Sequence, residues 1–255
     1  LNISPDHLER HKTISKYINA KFKLIKNQSK RDLAILNTRN FYIKRYIKSK
    51  NFLPRIIKID KEIDNSFLKK INNQYFNTFG NRENLKFVLE VSKILKLKKS
   101  SLLKTLQIFK GLKYRQEIIF QSKNLTIIND SKATTFSSSV SLLKSLTSVY
   151  WIVGGQAKKG DTLLLYKKNC TNFKAYIFGK NKFFFINEIK RLMKYNSFID
   201  LKSLVKKLFL EIKADKNTIH KTILFSPSAA SFDNFKNFEK RGEYFNQLIK
   251  KYINV

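Results

Sequence analysis

Cysteine, glycine, proline and acidic residues are all scarce in this chain of 255 residues. A single cysteine, Cys170, excludes an intramolecular disulfide framework and a cysteine-rich zinc site. No apolar run reaches about 18 residues, which argues against a membrane-spanning helix. The first residues, Leu1-Asn2-Ile3-Ser4-Pro5-Asp6-His7, lack a basic segment followed by an apolar one, so no signal peptide is expected. They also lack an initiator methionine, and the chain is expected to begin inside a longer protein. No internal repeat or low-complexity linker is evident.

Acidic residues number 18 against 52 basic ones, for a formal net charge of +34. Such a balance ordinarily points to nucleic acid. Yet only 9 of the 52 are arginine, the preferred fork for phosphates and base edges. The lysine excess also arrives with abundant Asn, Ile and Phe, the residues of AT-rich codons. A compositional origin therefore competes with a functional one. Glycine is reduced to 7 residues, about 3% against a usual ~7%. Four of them, Gly154, Gly155, Gly160 and Gly179, fall in one stretch, where a side chain is expected to be excluded.

What is present is a core. At 42% hydrophobic and 13% aromatic, the composition argues against disorder, and the length allows one large domain or two ordinary ones. The chain reads as a soluble α/β protein of a reducing compartment. Apolar spacings of three and four predict a helix over 14–26. Residues 33–60 read as strands joined by loops, 84–97 and 100–110 as helices, with Gly111 as a stop. Beyond it, 117–120 and 125–128 read as strands and 137–146 as a helix. Val149–Val153 is a continuous apolar run, suited to a strand buried on both faces of a parallel sheet. Strands at 174–178 and 222–225 alternate with helices around 183–194, 201–212 and 236–252. This alternation implies a doubly wound, Rossmann-like sheet, with a domain boundary near Gly111 and ligands at the strands' carboxyl ends.

Three polar loops succeed those strands. Asn129-Asp130-Ser131-Lys132-Ala133-Thr134-Thr135 offers a carboxylate for a hydroxylated ligand and an ammonium for phosphate, or simply a helix cap beside a solvated lysine. Gly154-Gly155-Gln156-Ala157-Lys158-Lys159-Gly160-Asp161 has phosphate-loop flavour but matches no glycine fingerprint. Ser226-Pro227-Ser228-Ala229-Ala230-Ser231-Phe232-Asp233 presents small side chains that admit a ligand to the backbone. Near the N-terminus, Asp6-His7-Leu8-Glu9-Arg10-His11 offers metal ligands without the His-Glu-x-x-His spacing, and capping or packing explains it equally. No Ser/His/Asp or Cys/His nucleophile arrangement is evident.

Taken in order, residues 1–11, Tyr-Ile-Asn-Ala-Lys at 17–21 and Gly-Leu-Lys-Tyr-Arg at 111–115 resemble the Mur ligases. So do Asn-Asp-Ser-Lys-Ala-Thr at 129–134, Gly-Gly-Gln-Ala-Lys at 154–158 and the segment from Ser226 to Gly242. The early segments are shared with folylpolyglutamate synthases, whereas 129–134 and 235–242 point to the D-glutamate-adding branch. The resemblance implies an ATP- and magnesium-dependent amide ligase of peptidoglycan precursor synthesis. Its substrates would be UDP-N-acetylmuramoyl-L-alanine and D-glutamate. It further implies a cytoplasmic protein, monomeric when full-length, with no nucleic-acid or membrane partner. Residues 1–110 would be the latter part of the central ATPase domain and 111–255 the C-terminal glutamate ligase domain. The family's phosphate loop and its uridine-nucleotide domain would precede Leu1.

By the same resemblance, His7 and a carbamylated Lys21 would hold magnesium, and Asn81 and Asn84 would read adenine. Arg115 and Lys132 would meet phosphates and Asp130 the ribose. Thr134, Lys158, Ser231 and Phe238 would bind D-glutamate. The chain departs from the family pattern at Gly80, at Lys113-Tyr114 and at Thr135. Another Mur ligase, a folylpolyglutamate synthase-like ligase and a basic nucleic-acid-binding module are the competing readings.

Overall fold

A computed structural model describes residues 2–3, 8–215, 217 and 219–253. The chain divides into two compact units between Phe109 and Lys110. No helix among the described residues is long and apolar enough to cross a membrane.

The first unit opens with a single turn, α1 (Leu8–His11), and with α2 (Ile14–Lys26). Thr13 caps α2 by accepting from the Lys16 amide at 3.2 Å. Tyr17, Ile18, Phe22 and Ile25, spaced by a helical period, form its buried face. β1 (Leu33–Asn37) then pairs in parallel with β2 (Arg55–Ile59). Residues 33–60 are not strands and loops alone, because α3 (Phe41–Lys48) makes the crossover. Asn40 caps it, and Ile43 with Tyr46 and Ile47 packs into the core of α2 and β1. A parallel pair requires such a crossover, which the short apolar bursts of that stretch conceal.

α4 (Asn65–Ile71), a 3-10 turn over Gln74–Asn77, α5 (Phe79–Ile94) and α6 (Lys99–Ile108) complete the unit. Ile71, Phe76, Leu85 and Leu106 make a second small core among them. α5 starts five residues before the sequence pattern suggests, because Thr78 caps it. Lys86, buried on α5, pairs with Glu83 and, at 3.0 Å, with Glu62; Asn37 at the end of β1 donates to Glu83 at 2.8 Å.

The second unit is built on a six-stranded sheet in the order β3-β4-β8-β5-β6-β7. β3 (Glu117–Gln121) is antiparallel to β4 (Leu125–Asn129), and the remaining pairings are parallel. α7 (Phe136–Leu143) leads to β5 (Val149–Gly154), and a 3-10 turn over Lys167–Asn169 precedes β6 (Phe173–Phe178). α8 (Lys182–Ile189), β7 (Lys194–Ser197), α9 (Leu201–Ala214), β8 (Lys221–Phe225) and α10 (Phe238–Ile253) complete it. The helix expected over 183–194 stops at Ile189 and gives way to an edge strand, β7. Its polar Lys-Tyr-Asn-Ser carries no apolar signal and is held by backbone pairing to β6.

Alternation along β5 explains the layering. Trp151 and Val153 enter one core with Phe136, Val140, Phe185 and Ile189 of α7 and α8. Ile152 enters the opposite core with Leu204, Leu208, Phe245 and Ile249 of α9 and α10. Helices thus cover both faces of the sheet, and each fully buried Leu, Ile or Phe contributes about 1.5–3 kcal/mol. The chain after β4 and β5 departs to the first face, whereas the chain after β8, lying between them, departs to the second. A switch of this kind opens a crevice at the strands' carboxyl ends.

Candidate functional site

The loops after β4, β5 and β8 converge on that edge. At the end of β4, the Asn129 amide donates to Gly242 O at 2.9 Å and Asn246 Oδ1 at 2.7 Å, tying the strand to α10. Asp130 then turns inward. Its Oδ1 accepts from the Gln116 amide at 3.2 Å and its Oδ2 from Ser226 Oγ at 2.8 Å. Burial pushes its pKa up to about 7, against the opposing pull of those hydrogen bonds, Arg115 and Arg241. A plain capping role for Asp130 or Ser131 does not hold, since Thr135 occupies the N-cap position of α7, without a side-chain capping bond, and the Phe136 amide donates to Asp161 of the next loop at 2.8 Å. Lys132 projects over the Phe238 ring, its Nζ 3.9 Å from the centroid. Arg115 is exposed, flanked by left-handed Tyr114 and Gln116. Thr134 and Phe238 are half-buried.

The loop after β5 is set by its two glycines. A Cβ on Gly154 would lie 2.1 Å from Phe178 O, and one on Gly155 would lie 2.8 Å from Ala230 O. Without side chains there, Gly154 N donates to Pro227 O at 3.0 Å, and Gln156 and Ala230 exchange backbone hydrogen bonds, each 3.0 Å. The loops after β5 and β8 are therefore stitched together just before Lys158 and Ser231. Asn181 steadies the same turn by accepting from the Ala157 amide at 3.1 Å. Lys158 is half-buried and Ser231 buried.

Several organising residues escape a reading of the sequence. Arg241, fully buried on α10, donates from Nε to Ser131 Oγ at 3.1 Å and from Nη2 to Ser131 O at 2.7 Å. Its Nη1 donates to Ala229 O at 3.0 Å, so one guanidinium spans the loops after β4 and β8. Burial lowers its pKa to about 10, opposed by Asp233 and Asp130. Burial likewise raises the Asp233 carboxyl above its ordinary value. Two signals mark it: it lies within the 235–242 segment that carries the family resemblance, and a chain that uses lysine almost everywhere keeps an arginine there. Ser139, Ser226 and Ser228 form a buried hydroxyl cluster beside Asp130. Gly242 leaves room for the Tyr114 ring, whose Cδ1 a Cβ would meet at 2.4 Å.

In the first unit, Lys21 lies on the exposed side of α2 with its Nζ 5.4 Å from the Tyr17 ring centroid, and the His11 ring packs 5.2 Å from the same tyrosine. His7 lies outside the described residues. Among the described residues no three His, Cys, Asp or Glu side chains come together as a metal site. Asn81 is buried, its amide donating to Tyr75 O at 2.8 Å, while Asn84, three residues further along α5, is exposed.

Comparison with known proteins adds an independent line. Residues 1–106 match the model of the Mur ligase middle domain. Over 269 residues the chain is 31% identical to the UDP-N-acetylmuramoylalanine–D-glutamate ligase of Rickettsia prowazekii (strain Madrid E), spanning 99% of this chain and 60% of that protein. It is 34% identical to the protein of the same name from Wolbachia sp. subsp. Brugia malayi (strain TRS), spanning 98% of this chain and 52% of the relative. The chain thus spans between half and two-thirds of the length of these curated relatives. Among solved structures, a pseudomurein peptide ligase type C from Methanothermus fervidus shares the fold with a TM-score of 0.59 at 12% identity, covering 98% of this chain and 62% of that one.

Proposed function

The chain belongs to the Mur ligase family, and from that premise we propose that it is the catalytic part of an ATP-dependent ligase adding D-glutamate to UDP-N-acetylmuramoyl-L-alanine in cytoplasmic peptidoglycan precursor synthesis. The observation that carries the reading is the convergence of Lys132 and Thr134, Lys158, and Ser231 from three stitched loops on one sheet edge. That edge supplies what a dicarboxylate amino acid needs: an ammonium and small hydroxyls.

The reaction needs two charge-handling events. ATP supplies the phosphoryl group that turns the substrate carboxylate into an acyl phosphate. The amine of D-glutamate attacks that carbonyl, and the tetrahedral intermediate collapses with loss of phosphate. Lys132, steered by the Phe238 ring, and Arg115 offset phosphate charge. Lys158 pairs with a carboxylate of D-glutamate, Thr134 and Ser231 orient it, and Phe238 packs against it. Asp130 meets the ribose through lone pairs left beyond its bonds to Gln116 and Ser226. By the family resemblance Asn81 and Asn84 would read adenine; the Asn84 side chain is exposed for it, whereas the Asn81 amide already donates to Tyr75 O. Magnesium, the family's expected ion, would be held by His7 and carbamylated Lys21. The exposed Lys21 amine is open to carbon dioxide, while the described residues assemble no further ligand set.

The test is phosphate release by the full protein. Release is expected only when ATP, UDP-N-acetylmuramoyl-L-alanine and D-glutamate are present together. Equal release with L-lysine or another amino acid in place of D-glutamate would assign the chain to a different ligase.

A further inference from the structure

We propose that Ser139, Ser226 and Ser228 are positioning residues for the amine substrate, a buried hydroxyl chain that sets the backbone of the loop after β8 and with it the placement of Ser231 against Lys158. The inference rests on the function proposed above and assigns roles to residues that touch no substrate.

The chain of contacts is short and closed to water. Ser226 Oγ donates to Asp130 Oδ2 at 2.8 Å, and Ser139 Oγ lies 2.6 Å from both Ser226 Oγ and Ser228 Oγ. All three serines are buried, two of them completely. Proton counting gives the chain a direction. Each hydroxyl carries one proton, and with Asp130 ionised Ser226 spends its proton on the carboxylate. Ser139 must then donate to Ser226, which leaves Ser228 to donate to Ser139. The indole of Trp151 adds a bond to Ser226 O at 2.8 Å.

Two features link this chain to ligand placement rather than to packing alone. Ser228 holds a left-handed backbone, φ 55°, which a residue with a side chain adopts at a cost and keeps only where its surroundings over-determine it. That turn delivers Ala229 to Arg241 and Ala230 to Gln156, and so brings Ser231 beside the loop that carries Lys158. In addition, the chain begins on Asp130, two residues before Lys132. The buried network therefore joins the loops after β4 and β8 directly, and the backbone pair of Ala230 with Gln156 extends its hold to the loop after β5. Apolar side chains of the same size would fill the space equally well but would impose no direction on the loop.

Ser139→Ala removes both hydroxyl–hydroxyl links and Ser228→Gly removes one. Glycine tolerates the left-handed backbone, so the second variant loses the hydroxyl without adding strain. In the full protein each variant is expected to raise KM for D-glutamate about tenfold, the scale of one buried hydrogen bond, with kcat and KM for ATP within about twofold. Hydrogen exchange provides a readout that needs no substrate: the amides of both 226–231 and 154–158 should exchange faster in Ser139→Ala. Unchanged KM for D-glutamate in two folded variants overturns the proposal, as does unaltered exchange in the loop after β5. A wild-type protein that releases phosphate without regard to D-glutamate defeats the functional reading instead, and the exchange result then decides the positioning claim by itself.

Discussion

In the C-terminal unit, one buried guanidinium and a set of buried hydroxyls tie together the loops that carry Lys132 and Ser231, and backbone pairing of Gln156 with Ala230 adds the loop that carries Lys158. In the N-terminal unit, Lys21 and Asn84 stand on exposed helix faces, and the ionic cluster around the buried Lys86 ties α5 to the end of β1. The two regions serve chemistry differently. A subsite for a small dicarboxylate demands preorganised donors, because mispositioning by an ångström costs binding and rate. A lysine proposed to react with carbon dioxide and join a metal has to remain accessible instead. Preorganisation is therefore costly to remove in the second unit, and exposure makes substitution tolerable for folding in the first.

That contrast can be broken most forcefully at Arg241. Arg241→Met strands Ser131 O and Ala229 O without donors, and an expected loss of about 3–5 kcal/mol results from breaking a buried charged network. Trp151, the sole tryptophan of this chain and wholly buried in the second unit, reports the unfolding by fluorescence. A loss below about 1 kcal/mol would show that the clamp is dispensable. Next in size is Gly154→Ala, where the φ of 140° and the 2.1 Å approach to Phe178 O together should cost more than the about 1–3 kcal/mol of backbone strain alone. Gly160→Ala, in the same loop with open space around it, should cost only the strain of its φ of 77°. Equal losses at the two glycines would contradict the stitched geometry.

A smaller effect comes from pH. Folding raises the Asp130 carboxyl from its ordinary 3.8 to about 7. The folded state then holds the proton more tightly, so its contribution to stability is complete below 3.8 and is lost as pH rises through about 7. The Trp151-monitored transition should weaken between about pH 4 and pH 7, and Asp130→Asn should flatten that slope. Asp233, also raised by burial, adds to the slope in the same direction and remains in the variant. The smallest structural effect is expected at Lys21→Ala, within about 0.5 kcal/mol for an exposed side chain. Its activity should nonetheless collapse, and added short carboxylates should restore part of it. Failure of that rescue would remove the carbamate from the account.

Legibility in the sequence tracks the physics of each element. α2 and β5 can be read directly, since one displays a helical stripe and the other a two-faced apolar run. β7 cannot, because an edge strand held by backbone pairing needs no apolar residues. Nor can α3, whose cap at Asn40 lies within a polar stretch that resembles a loop. The three site loops stand out through glycines and small hydroxyls after strand-like runs. Their supporting partnerships do not, because Arg241 meets Ser131 across 110 residues and Ser139 meets Ser226 across 87. Spacing along the chain carries no trace of such partners. The lysine excess, by contrast, invites a nucleic-acid reading, whereas the family assignment leaves most of those lysines without a ligand to explain.

The central claim is that the stitched loops of the second unit form the D-glutamate subsite, with Lys158 pairing a carboxylate. It is tested most directly by steady-state kinetics of Lys158→Ala in the full protein. The expected result is a rise in KM for D-glutamate of about tenfold or more, with KM for ATP little changed. Unaltered D-glutamate kinetics in a folded Lys158→Ala protein would contradict the claim.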